Sequence, residues 1–206
     1  MKLYSHPRSG TNWTLALLEQ AFYGTQTHAV RVTGHYTARW KVQTTGIHLW
    51  GNHCHFNATM PGPRLYLYRD GRDVALSLWR TKGFQPAEWH GLSFAEFLRT
   101  PLDWWETPGQ PARGPRVTIA EHWRLHLDSW YNAPDTLFIR YADLLRDPAR
   151  ELACVAEFAA LPLRDDSVTT GDYGPQPSGD YRAAKWREVF TAEDLDYFHS
   201  IVPAEH

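Results

Sequence analysis

The chain has 206 residues, with 21 Lys and Arg against 23 Asp and Glu, 43% hydrophobic and 21% charged residues, and a formal charge of −2. That length supports a sizeable core without a metal or disulfide, and the near-neutral balance argues against a general nucleic-acid or anionic-membrane binder. No apolar run reaches membrane-spanning length, the first residues lack a signal-peptide pattern, and Cys54 and Cys154 have neither paired spacing nor scaffold density. The expectation is one cytoplasmic domain, residues 1–206, with reduced thiols.

In chain order, short β-rich runs alternate with helical patterns. Strands are expected at Lys2–Ser5, 29–32, 46–50, Arg64–Tyr68 and Thr136–Arg140, with 65–68 and 137–139 buried. Helical stripes follow at Trp13, Leu17 and Ala21; at Val74 and Leu78; at Ile119, Trp123, Leu127 and Trp130; and at Leu152, Val155, Ala156 and Ala159. Thr191 with Asp194 three residues on reads as the cap of a last helix facing inward through Leu195, Phe198 and Val202. The alternation implies an α/β fold with three layers, α/β/α, around a parallel sheet, and ligands at the carboxyl ends of the strands.

Two stretches stand apart. Residues 82–116 carry five Pro and Trp89, Trp104 and Trp105, and read as a long irregular excursion, an acceptor-side lid with a short helix at Phe94–Arg99. Residues 165–185 are Gly- and Pro-rich. Of the 21 basic residues only four are Lys, leaving 17 Arg, the side chain best shaped for phosphate; codon bias explains most of that excess.

The first strand runs into Ser5-His6-Pro7-Arg8-Ser9-Gly10-Thr11-Asn12-Trp13. A strand, a small-residue loop and a helix N-terminus bring backbone N–H groups and a helix dipole to one point, a site for phosphate or sulfate, with Arg8 adding a full charge. The loop lacks the Walker pattern, having one Gly and no following Lys, and a turn capped by Ser or Thr reads equally well. A second loop, Arg69-Asp70-Gly71-Arg72-Asp73-Val74-Ala75-Leu76-Ser77, follows the strand at 64–68 and sends Arg69 and Ser77 towards a further phosphate. Alternatively Arg72 and Asp73 form a surface pair of little energetic worth and Ser77 bonds the preceding helical turn.

The two loops together resemble those of the sulfotransferases that use 3′-phosphoadenosine 5′-phosphosulfate (PAPS), the first its 5′-phosphosulfate loop and the second its 3′-phosphate motif. Residues 138–148, Phe-Ile-Arg-Tyr-Ala-Asp-Leu-Leu-Arg-Asp-Pro, and 186–191, Trp-Arg-Glu-Val-Phe-Thr, are similar to later segments of the same family, in the same order. The resemblance implies that Arg8 bonds the phosphosulfate and stabilises the leaving oxygen, while Ser9, Gly10, Thr11 and Asn12 cradle that phosphate. It implies further that Trp13 and Tyr141 contact adenine and that Arg69 and Ser77 hold the 3′-phosphate. PAPS would be the donor, adenosine 3′,5′-bisphosphate (PAP) the product, with no metal.

At 47–56, Ile-His-Leu-Trp-Gly-Asn-His-Cys-His-Phe, His55 falls on the His of the family's Lys-Thr-His motif and His53 on its Lys, a departure. His55 ranks first as general base and His53 second; if the strand persists they share a face and His48 takes the other. Zinc at His53 and His55, a structural histidine, or an acidic base at Glu88, Glu96 or Glu106 are the alternatives. Before Trp186, Arg182 and Lys185 are candidates to replace the family's C-terminal 3′-phosphate loop, against a solvated basic turn. The acceptor is expected to be a small hydroxylated molecule, aromatic or sugar-like, with Phe84, Trp89, Trp104 and Trp105 as candidates to stack on it, although any single one of them reads more readily as an anchor of the loop to the core. A nucleotide kinase or a non-catalytic nucleotide-binding module are the competing functions.

Overall fold

The computed structural model describes residues 1–24, 50–59, 62–81, 87–102, 116–164 and 183–203. The expected strand at 29–32, most of 46–50, His48, Phe84, Trp104, Trp105, Glu106 and Arg182 lie outside these residues. Four strands, β1 (Lys2–Ser5), β2 (Trp50–Asn52), β3 (Arg64–Tyr68) and β4 (Thr136–Arg140), form a sheet in the order β2-β1-β3-β4. All pairs are parallel, with Lys2 opposite both Trp50 and Arg64, and Tyr68 opposite Arg140. The carboxyl ends therefore open on one side.

Side-chain alternation sorts two cores. Leu3, Leu65, Leu67 and Ile139 point to one face, covered by α1 (Thr11–Tyr23), α5 (Tyr141–Arg146) and α6 (Pro148–Ala159). Tyr4, Tyr66 and Phe138 point to the other, covered by α2 (Gly71–Arg80), α3 (Phe94–Arg99), α4 (Ile119–Tyr131) and α7 (Ala192–Ile201). This is the three-layer arrangement the alternation implied. Ile119, Trp123, Leu127 and Trp130 are all buried, as their stripe required. In β4 only Ile139 is buried; Leu137 and Phe138 are half-covered, and among the described residues no strand pairs with the far edge of β4.

Helix ends follow local chemistry. α1 stops at Gly24, left-handed at φ 68°, whose N–H reaches Gln20 O. α4 begins in a capping box between Thr118 and Glu121, and α7 in the one expected between Thr191 and Asp194; each such cap stabilises its helix by about 1 kcal/mol. Asp194 also accepts from Arg99 at 2.5 Å, tying α3 to α7.

Residues 87–102 are the described part of the expected lid segment apart from Arg116. α3 forms where expected, but Phe97 and Leu98 are fully buried, and Trp89 packs edge-on against Phe97 within the main core. An antiparallel bridge pairs Leu102 with Val117. Trp89 is thus an anchor of the core.

Candidate active site

Strand ends deliver the site. β1 ends at Ser5, and residues 6–10 turn the chain into α1. Two of them have positive φ, Arg8 at 71° and Gly10 at 97°; for a non-Gly residue such as Arg8 this costs roughly 1–2 kcal/mol, offset by what the turn presents. Gly10 is the N-cap of α1, no side chain caps the first turn and no acidic residue lies in it. The Ser- or Thr-capped alternative is therefore excluded. The Ser9 hydroxyl is buried without a partner, and that of Thr11 lies 2.5 Å from the Ser5 hydroxyl. An uncapped first turn leaves its N–H groups and dipole directed at an anion site.

Two guanidinium groups converge here. Arg8 Nε donates to Ser77 Oγ at 3.1 Å, and Arg69 Nη1 approaches the Arg8 carbonyl at 3.5 Å. Burial first, and the nearby Arg69 second, push the pKa of Arg8 below its usual value. Among the described residues no carboxylate pairs with Arg8, while Arg69 has Asp73 at 3.7 Å and a buried Nε without a partner. Two cations with one carboxylate, plus orphaned donors on Ser9 and Arg69, make a site that fits a polyanion.

Tyr141, the first residue of α5, closes one side. A Cβ on Gly10 would stand 2.5 Å from its ring, so only glycine fits this left-handed position. The Arg69 guanidinium lies over the same ring, 5.0 Å from its centroid, and Trp13 meets it edge-on at 5.8 Å. Trp13 and Tyr141 are both buried, whereas Asn12 is exposed. Of the expected residues, Arg8, Gly10, Trp13, Arg69, Ser77 and Tyr141 are thus joined by direct contacts, and Ser9 and Thr11 belong to the same turn.

Asp73 departs from expectation. It forms no surface pair with Arg72, which instead clasps Asp70 in a two-bond fork at 2.9 and 2.7 Å. Asp73 is buried and accepts the N–H groups of Ala184 at 2.8 Å and Trp186 at 3.1 Å. Ser77 bonds Arg8 rather than its own preceding turn. Lys185, half-buried, opens a short 3-10 turn, Lys185–Glu188.

The strand before the histidines does not persist, since β2 ends at Asn52. Helix α4 holds the irregular segment instead: His126 Nε2 donates to His53 O at 3.2 Å, Trp130 Nε1 to Cys54 O at 3.1 Å, and Phe56 N to Ser129 Oγ at 3.1 Å. His53 is buried, and its Nδ1 donates to Ser5 O at 2.8 Å, which leaves Nε2 as the accepting nitrogen. His55 is half-buried, its ring 4.8 Å from that of His126 and 5.6 Å from that of His122. So the two candidates do not share a strand face. His53 abuts the anion loop, and His55 faces α4.

Three further histidines complete the cluster. His6 Nδ1 donates to the Pro7 carbonyl at 2.8 Å, so its Nε2 accepts from His122 Nδ1–H at 2.9 Å. His126 gives its Nε2 proton to His53 O and accepts the Tyr66 hydroxyl proton at Nδ1, 2.8 Å away. Burial lowers the pKa of His6 to about 3 and holds those of His122 and His126 well below the usual value. These are neutral, tautomer-locked imidazoles, and among the described residues no group of three or more His, Cys, Asp or Glu is arranged to hold a metal. The sequence signal for them was present: His122 and His126 are four apart on α4, each next to the buried stripe.

Glu96 has its own employment, accepting the N–H and hydroxyl of Ser93 in the capping box that starts α3, on the exposed surface. No helix among the described residues is long and apolar enough to cross a membrane.

Against known proteins, the sulfotransferase domain model matches residues 64–171, just over half of the chain. The chain belongs to the sulfotransferase family. No curated protein matches it significantly. Among solved structures it is similar to mouse sulfotransferase SULT7A1 complexed with PAP, at TM-score 0.60 and 14% identity, over 98% of this chain and 81% of that one. Retinol dehydratase in complex with androsterone and PAP gives the same TM-score and identity over 98% and 78%. A putative steroid sulphotransferase of Arabidopsis thaliana gives 0.54 and 18% over 98% and 76%. These likenesses establish the fold; the anion loop at 5–13 precedes the family-matched segment, and its assignment rests on the geometry above.

Proposed function

We propose that this sulfotransferase takes the sulfuryl group of PAPS and passes it to the hydroxyl of a small acceptor, within a single domain and without a metal. The observation that carries this reading is the convergence of Arg8 and Arg69 on an uncapped helix N-terminus at the carboxyl ends of a parallel sheet, with two imidazoles beside it. The 5′-phosphosulfate would lie on the N–H groups of the α1 first turn with Ser9 and Thr11, and the 3′-phosphate on Arg69 and Ser77. PAP in the similar structures of SULT7A1 and retinol dehydratase supports a nucleotide of this kind.

In the reaction the acceptor oxygen forms a bond to sulfur as the bond from sulfur to the bridging oxygen breaks, and the acceptor proton passes to an imidazole. His55 is the base we favour, because it is the less buried of the two and packs against the His122 and His126 rings of α4. Such a base contributes about 10²–10⁴-fold. His53, held by Ser5 beside the loop, faces the donor end, and Arg8 stabilises charge on the departing oxygen. Androsterone and retinol in neighbouring structures suggest an apolar alcohol as the first acceptor to try. A kinase is disfavoured by family membership and the missing Walker Lys.

The test is incubation with sulfur-labelled PAPS and a panel of phenols, sterols and sugars, without divalent metal, reading labelled product and released PAP in equal amounts. PAP release matched by sulfated acceptor supports the reading; an absolute magnesium requirement, or no transfer to any class, counts against it.

A further inference from the structure

On α2 and the residue before its N-cap, Arg69, Asp73 and Ser77 are spaced four apart and so share one face. Arg69 and Ser77 reach the anion loop, through the Arg8 carbonyl and Arg8 Nε. Asp73, between them, reaches elsewhere. Its side chain is 1% exposed, and its two oxygens accept the backbone N–H groups of Ala184 and Trp186, more than a hundred residues away in sequence. Ala184 is held there at φ 64°, a conformation that a non-glycine residue adopts only when its surroundings impose it. The Trp186 ring carries two guanidinium groups, that of Arg72 at 4.1 Å and that of Arg187 at 4.5 Å from its centroid. Lys185 lies between the two amides that Asp73 holds.

We propose that Asp73 is a positioning residue: it seats residues 184–186 against the anion site, and affinity for a 3′-phosphorylated nucleotide depends on this carboxylate, which does not itself touch the nucleotide. A carboxylate suits the task. Ionised, it only accepts, so it satisfies two N–H groups at once, while next to Arg69 it leaves the site cationic overall. The nucleotide half of the inference rests on PAPS as donor.

Asp73→Asn is nearly isosteric, but its amide nitrogen cannot accept, so one of the two N–H groups loses its partner. The experiment reads amide hydrogen exchange together with binding of PAP and of adenosine 5′-phosphosulfate, which lacks the 3′-phosphate, in the full chain. Expected in Asp73→Asn are faster exchange at Ala184 and Trp186 with α4 protection intact, and PAP affinity weakened about tenfold or more with little change for adenosine 5′-phosphosulfate. Unchanged exchange at 184 and 186, or equal losses for both nucleotides, overturns the proposal; unchanged exchange with weaker PAP binding would place the effect on Arg69 instead. Should Asp73→Asn fail to fold, Lys185→Met decides: selective loss of PAP affinity supports the seating of this segment, and wild-type PAP binding overturns it. A wild-type protein that binds neither nucleotide overturns the donor reading and the nucleotide half with it, while the exchange comparison still tests Asp73 as the anchor.

Discussion

Arg8 Nε donates to Ser77 Oγ at 3.1 Å, joining the turn after the first strand to the second loop's helix 69 residues later. The two anion loops are thus one unit, and the cation proposed for the leaving group is steadied by a residue proposed for the other phosphate. Arg8→Ala is expected to lower turnover by about 10²–10³-fold with the fold intact. Ser77→Ala, which removes one neutral acceptor, is expected to cost about tenfold or less. Steady-state kinetics with circular dichroism checks both; a folded Arg8→Ala enzyme with near-normal turnover removes Arg8 from the chemistry.

Arg69 is the residue proposed to hold the 3′-phosphate. Arg69→Ala is expected to weaken PAP binding by about tenfold or more, as the loss of a charged hydrogen-bond partner implies, and adenosine 5′-phosphosulfate binding far less. Titration of the variant with both nucleotides checks this, and parallel losses would detach Arg69 from the 3′-phosphate.

Gly10 is constrained twice, by φ 97° and by the Tyr141 ring 2.5 Å from where a Cβ would stand. Gly10→Ala is expected to destabilise by about 2–4 kcal/mol, adding left-handed backbone cost to overpacking. Thermal unfolding measures it; a melting temperature within a degree of wild type would mean that the turn is not held as described.

Much of this was legible in the sequence. Short apolar runs marked β1, β3 and β4 and helical period marked the α4 stripe, because regular elements bury their side chains in register, while the two loops were readable through their resemblance to the PAPS-using family, since the first loop alone reads equally well as a capped turn. What was not legible depended on tertiary contact. Asp73 looked like a surface partner of Arg72, since nothing local announces two backbone N–H groups arriving from residues 184 and 186. For Trp89 the sequence left acceptor stacking and anchoring to the core both open, and its contact with Phe97 selects the anchor. The sharing of a strand face by His53 and His55 failed because three bonds from α4 determine that segment, not a sheet ladder.

The histidine cluster makes stability depend on pH. His6, with a pKa of about 3, and His122 and His126, held well below the usual value, stay neutral in the fold but take up protons near pH 6.5 once unfolded. The unfolded chain therefore binds more protons as pH falls below about 6.5, and stability is lost by up to about 1.4 kcal/mol per pH unit for each histidine, down to pH 3 for His6. Urea midpoints should fall between pH 7 and pH 5, before most carboxylates titrate, and less steeply in His6→Asn. A midpoint independent of pH over that range would contradict neutral burial.

The paired-arginine site is expected to receive a 3′-phosphorylated nucleotide without metal. Calorimetric titration of the metal-free protein with PAP, beside ATP with magnesium, is the measurement to make first. Tight PAP binding without a divalent ion, with little response to ATP, is the expected result; preference for magnesium-ATP would contradict the account.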